Sequence, residues 1–225
     1  MKSEIVGSVM PMVKIELATG QSVYAQTGAM KWMDEKIKMD TNMQGGVFSS
    51  VKRSLSGANF FLSQFSAKDN GATVAFGHSF PGRIIELDIA EKSMVCQKRA
   101  FLCATNDVRL DIAFQKRLSA GFFGGEGFIM QKLSGTGKAW VEMDGEFIVK
   151  ELQKGEKIRM ETGSLGMFED GMKMNIQLVK GFKNIFFGSE GLFLTTIEGP
   201  GKVWIQSMPA SSLAAEILPF IPEKK

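Results

Sequence analysis

FFGGEGFIMQKLSGTGKAWV, residues 122–141, and FFGSEGLFLTTIEGPGKVWI, residues 186–205, align without a gap and begin 64 residues apart. Internal similarity at one spacing signals a repeated structural unit, which decides the fold before any local propensity is weighed. The same shift pairs Gln97 with Glu161, Phe101 with Leu165, Arg109 with Lys173, Leu110 with Met174 and Trp140 with Trp204. An earlier copy joins at a shift of 135: LATGQSVYAQTGAMKWMDEKIKM from Leu17 matches LQKGEKIRMETGSLGMFEDGMKM from Leu152, with Thr27-Gly28 in step with Thr162-Gly163. The middle copy, IIELDIAEKSMVCQKRAFLCATNDVRLD from Ile84, carries one extra residue near Ala90 and puts Cys96 in the column of Ala25 and Met160, a packing position. GANFFLSQFSAKDNGATVAF from Gly57 completes the first copy, with Asp69 and Asn70 inserted. The expected organisation is three β modules, residues 5–76, 77–141 and 142–206, followed by a C-terminal helix and tail over 207–225, all packed as one unit.

Each module alternates apolar and polar residues at period two, the pattern of a half-buried strand. In MKMNIQL, Met172, Met174, Ile176 and Leu178 share one face while Lys173, Asn175 and Gln177 share the other. Val108, Leu110, Ile112 and Phe114 repeat this, as do Ile37 and Met39. Turn chemistry at ATGQ, QKGE, FEDG, MDG, SGTGK and EGPGK separates the strands. After Trp204, Ser207 and Pro209 open a helical pattern with Leu213 and Ile217 four apart, and Pro219 ends it. The predicted fold class is therefore mainly β, a set of tandem sandwich or double-stranded β-helix-like modules with a short C-terminal helix.

Composition narrows the function. The chain has 225 residues, 27 Lys plus Arg against 24 Asp plus Glu, and 44% hydrophobic residues, which excludes disorder. A net charge of +3 is too small for the basic footprint that duplex nucleic acid requires. A single histidine, His78, leaves no two-histidine metal site. The N-terminus carries Glu4 and Lys14 among its apolar residues and lacks a signal-peptide core, and no run approaches the roughly 20 apolar residues of a membrane span. Cys96 and Cys103 form no CxxC pair, so reduced structural thiols in a cytoplasmic protein are expected.

The glycine-acid-glycine turns GGEGF and GSEGL, the GTGKAW and GPGKVW steps, the QTGAM and ETGSL segments and the tail SMPASSLAAEILPFIP together resemble the altered-inheritance-of-mitochondria-24 family over essentially the whole chain. The resemblance implies a fold similar to the tryptophan RNA-binding attenuator protein, whose small β modules join edge to edge into rings. It further implies that three modules per chain could assemble as a homotrimer, a ring of nine. The physical argument agrees: a module of about 65 residues buries a marginal core, and the outer strand edges of the first and third modules invite pairing that a ring would satisfy.

Gly125, Glu126 and Gly127, with Ser189, Glu190 and Gly191 in the matching loop, read as tight turns, since a carboxylate within the loop repels an anion. Lys52 and Arg53, Lys116 and Arg117, and Lys180 with Lys183 place positive charge before each Phe-rich strand, a possible basic rim for anionic lipid, RNA or an acidic partner, or gatekeepers against aggregation. In Phe60-Phe61, Phe122-Phe123 and Phe186-Phe187, one ring of each pair must look away from its own core. His78 beside Ser79 lacks an orienting acid, and Asp69, Asp107, Asp111 and Asp144 show no ligand spacing. The expectation is no catalytic residue, no cofactor and no metal. The chain reads as a non-enzymatic, ring-forming scaffold or binding platform, with a homo-oligomer as its main partner and a protein or anionic membrane surface as further ones. The alternative is a ligand- or RNA-binding protein using inter-module clefts or the basic rim, though the charge disfavours nucleic acid.

Overall fold

The computed structural model describes residues 1–41, 62–77, 80–116, 127–179, 192–217 and 220–221. These form strands β1 (Lys2–Val6), β2 (Met12–Leu17), β3 (Ser22–Gln26), β4 (Met30–Met33), β5 (Ile37–Asp40), β6 (Leu62–Ala67), β7 (Ala72–Gly77), β8 (Gly82–Asp88), β9 (Met94–Gln97), β10 (Phe101–Thr105), β11 (Val108–Lys116), β12 (Phe128–Gly135) and β13 (Lys138–Asp144). They continue as β14 (Phe147–Leu152), β15 (Lys157–Glu161), β16 (Leu165–Glu169), β17 (Lys173–Val179), β18 (Leu192–Glu198) and β19 (Gly201–Gln206) before helix α1 (Ala210–Ile217). The protein is mainly β with a short C-terminal helix.

Period-two sequence becomes strand because alternate side chains find a core on one face. On β2, Val13, Ile15 and Leu17 are fully buried while Lys14 and Glu16 point away. Turns close where glycine supplies a positive φ: Gly155 at +81° in QKGE and Gly171 at +97° in FEDG, conformations that a Cβ disfavours. Helix α1 begins one residue after the buried Pro209, and its first amide, Ala210 N–H, donates to Asp144 Oδ2 at 2.9 Å.

Four antiparallel sheets result. Sheet A runs β1-β2-β7-β4, sheet B β5-β6-β3-β10-β13-β8, sheet C β11-β12-β9-β16-β19-β14 and sheet D β15-β18-β17. One order recurs: β2-β7-β4, β8-β13-β10 and β14-β19-β16, with β3-β6-β5, β9-β12-β11 and β15-β18-β17 as companions. A set of six consecutive strands thus splits between two sheets, and sheets B and C each join halves of two successive sets.

The sheets stack with three apolar layers between them. Val13, Ile15 and Phe76 of sheet A meet Val23, Phe65, Cys103 and Trp140 of sheet B. From the other face of sheet B, Tyr24, Phe101 and Val141 meet Cys96, Leu110 and Met167 of sheet C. Val95, Met130 and Phe168 of sheet C meet Met160, Ile176 and Ile197 of sheet D. The central strands of sheets B and C are consequently buried on both faces, whereas sheets A and D each present one face outward. Strand β1, which the repeat does not contain, extends sheet A beyond β2. It also reaches sheet B, where the Ser3 hydroxyl donates to Glu86, as do Lys138 Nζ and, at 3.1 Å, Trp140 Nε1. Burial opposes the Glu86 charge, but these donors outweigh it and hold the carboxyl below its ordinary range.

Candidate assembly interface

Two in-chain junctions define what an edge of this fold pairs with. Strand β3 pairs antiparallel with β10, setting Ala25 opposite Cys103, Tyr24 opposite Ala104 and Val23 opposite Thr105. Strand β9 pairs with β16 in the same manner, setting Cys96 opposite Met167, Val95 opposite Phe168 and Met94 opposite Glu169. Each junction closes with a polar contact one step further on: Asn106 Nδ2 donates to Ser22 Oγ in the first, and Asp170 N–H donates to the Ser93 carbonyl at 3.0 Å in the second. At the opposite end of the second junction, Gln97 Nε2 donates to the Gly163 carbonyl at 3.0 Å.

The strands that take part share a local irregularity. On β10 the register shifts between Phe101 and Cys103, and on β16 between Leu165 and Met167, and β4 shows the same shift between Met30 and Trp32. Beyond the shift, Cys103 faces Trp140 of β13, Met167 faces Trp204 of β19, and Trp32 faces Ala75 of β7. Cys103, Met167 and Trp140 are fully buried, because a preceding set covers them. Trp32 has no preceding set and is 41% exposed, with Met33 beside it at 36%.

Strands β4 and β15 are the complementary halves of a junction that the chain does not close. Among the described residues β4 pairs with β7 alone and β15 with β18 alone. Edges at β5, β11 and β17 occur in every set, so they belong to the fold itself. By contrast, the strands that correspond to β4 and β15 elsewhere are paired. An unpaired row of N–H and C=O groups is a template for another strand. Exposed Lys157 and Arg159 on β15, and exposed Lys31 and Glu35 on and after β4, line these edges, while the Asp34 carboxylate turns to β7 and accepts from Thr73 N–H at 2.8 Å.

The remaining sequence candidates fall elsewhere. Lys116 stands exposed at the end of β11, and its Nζ donates to the Ile176 carbonyl at 2.9 Å, tying sheet C to sheet D. Lys52, Arg53, Arg117, Lys180 and Lys183 lie outside the described residues, as do His78, Ser79 and the Phe60-Phe61, Phe122-Phe123 and Phe186-Phe187 pairs. Gly127 takes a φ of +81°, as a turn glycine does, while Gly125, Glu126, Ser189, Glu190 and Gly191 lie outside the described residues. Among the described residues no three His, Cys, Asp or Glu side chains cluster as a metal site would need, and no helix is long and apolar enough to cross a membrane. Cys96 and Cys103 are free and buried; burial pushes the Cys96 thiol up to about 12 and raises the Cys103 thiol well above its ordinary value.

Two buried polar groups escaped sequence reasoning. Gln131, fully buried on β12, finds no hydrogen-bond partner for either amide atom among the described residues. It occupies the position of Ser63 and Thr195, which lie opposite Ala25 and Met160 as Gln131 lies opposite Cys96. Glu142 on β13 is 4% exposed, and desolvation, reinforced by Asp144 and opposed by Lys31, pushes its carboxyl up to about 9. The corresponding residue of β19 is Gln206, whose Nε2 donates to the Gly163 carbonyl at 2.9 Å and whose Oε1 accepts from Asp144 N–H at 3.0 Å. Lys138, Trp140 and Glu142 alternate along one face of KAWVEMD, a signal that could have marked Glu142 as core-facing.

Known proteins resemble this chain. An uncharacterised protein of Streptococcus pyogenes serotype M6 is 26% identical over 219 residues, covering 94% of this chain and 87% of its own length. The X-ray crystal structure of a Streptococcus pyogenes protein superimposes with a TM-score of 0.78 at 24% identity, covering 98% of this chain and 99% of its own. The family model for mitochondrial biogenesis AIM24 matches residues 3–208, and the chain belongs to that family.

Proposed function

We propose that this chain is the protomer of a closed head-to-tail assembly, a homotrimer, that serves in the cytoplasm as a scaffold or binding platform and carries no catalytic site. The observation that carries this reading is the pair of complementary open edges, β4 and β15, whose counterparts β10, β16, β3 and β9 are paired within the chain. A contact that joins two different surfaces of one protomer repeats until rotation closes it into a ring. Such a ring presents each outer loop several times around one rim, so that weak contacts to a partner add through avidity. Two free, buried cysteines support a reducing compartment. The basic-rim version of this reading has less support, because the Lys116 ammonium already holds a backbone carbonyl.

Light scattering coupled to size exclusion tests the assembly. A closed trimer gives a mass of about 74 kDa that does not grow with concentration. Trp32→Ser should lower the mass while leaving the far-ultraviolet circular dichroism unchanged. A mass of 24.7 kDa for the unmodified protein at micromolar concentration overturns the proposal.

A further inference from the structure

We infer that β15 of one copy pairs antiparallel with β4 of the next in a single register: Met160 opposite Trp32, Arg159 opposite Met33 and Ile158 opposite Asp34. This inference rests on the assembly proposed above and specifies its contact. The register follows from two in-chain precedents. Met160 stands in the column of Ala25 and Cys96, and Trp32 stands in the column of Cys103 and Met167, the residues that face one another at β3–β10 and β9–β16.

Three independent features agree with it. Charge is complementary at one end of the pairing, since the same register sets Lys157, which also bridges to Glu198 at 3.1 Å, opposite Glu35. Lys157 and Glu35 fall at the position where Asn106 meets Ser22 and Asp170 meets Ser93 within the chain, so the third junction gains a polar closing contact where the first two have one. Opposite charges directly across an antiparallel pair are stabilising.

Side-chain volume agrees as well. Across the third and sixth strands of each set the facing residues are Trp32 with Ala75, Cys103 with Trp140 and Met167 with Trp204. One indole is retained in every set although it changes strand, and in the first set it is the exposed one. Its seat is on the copy that supplies β15, on the outer part of sheet C beyond the reach of sheet D. There Ile148, 57% exposed on β14, lies opposite the partly buried Ile205 of β19, on the face that Val203 and Leu152 share.

The two outer sheets also match in form. Joining them gives a seven-stranded sheet, β17-β18-β15 of one copy followed by β4-β7-β2-β1 of the next. Its order is that of sheets B and C, with β1 added at one end.

Disulfide trapping reads the register directly. A Met33→Cys, Arg159→Cys double variant places thiols on directly opposed residues of neighbouring copies, where Cβ atoms stand within bonding reach. Met33→Cys with Lys157→Cys displaces the second thiol by two residues along the strand. Under mild oxidation, non-reducing electrophoresis should show at least about tenfold more interchain product for the aligned pair than for the displaced one. Equal trapping, or a preference for the displaced pair, overturns the register. A wild-type protein that scatters as an oligomer while the aligned pair fails to cross-link refutes the register and leaves the assembly standing. A 24.7 kDa monomer refutes both.

Discussion

Replacing Glu142 by Gln should change how stability depends on pH. The carboxyl sits on β13 at 4% exposure, facing the layer between sheets A and B, and titrates near pH 9 there instead of at its ordinary 4.5. Desolvation is the main cause, with Asp144 adding to it and Lys31 working the other way. A carboxyl whose folded value lies above its unfolded one favours the fold fully below pH 4.5 and loses that contribution as pH rises toward 9. Within this window stability falls with each pH unit, by about 4 kcal/mol in all between pH 5 and pH 8. Glutamine has the shape of the neutral carboxyl without its titration, and Gln206 occupies the corresponding place on β19. Urea unfolding of both proteins at matched concentration, from about pH 5 to about pH 8, measures the difference. The variant should be of similar stability at the acid end and should gain on the wild type by about 4 kcal/mol at the alkaline end. A gap that stays constant with pH, or a variant less stable than the wild type at the alkaline end, refutes the assignment of a neutral buried carboxyl.

Gln131→Leu should raise stability by about 1–3 kcal/mol, because it removes a buried amide that no described group satisfies; a urea midpoint that falls would show the amide to be satisfied. Cys96 and Cys103 should resist a thiol reagent in the folded protein at least about a hundredfold more than in denaturant, where both should react at once. Rapid modification of the native state would mean that the layers around sheets B and C open readily.

Much of the architecture can be read from periodicity. The residues 172–178 alternate as expected, with Met172 and Ile176 buried and Lys173 exposed, because one face of β17 meets sheet C. Leu178 departs from the pattern: it shares that face and is 49% exposed, since alternation reports a face and not how far the opposing layer extends. Strand β1 lies outside the repeat. KSEIV is short, mostly exposed and without a repeat partner, and it becomes a strand because the free edge of β2 supplies the hydrogen bonds. The sharing of sheets between successive sets leaves no mark in periodicity either. Strand pattern describes one chain segment, whereas the pairing of Cys96 with Met167 joins residues on two different repeats.

The open edges show how far a repeat can carry an argument about a surface. Counting copies indicates that a first and a last unit lack neighbours, but it does not say which strands are left bare. Only the pairing of β3 with β10 and of β9 with β16 identifies β15 and β4 as the bare halves. Once they are identified, the composition of the outer face of sheet A gains a direction. Glu4, Lys14, Ala75 and Trp32 lie side by side across β1, β2, β7 and β4, with Glu4 and Lys14 bridged at 2.6 Å. A face built for water alone has no reason to grade from an ion pair at one side to an indole at the other. A face that meets another copy at β4 does: the apolar residue stands where the preceding set would lie, and the charged pair stands farthest from the joining edge.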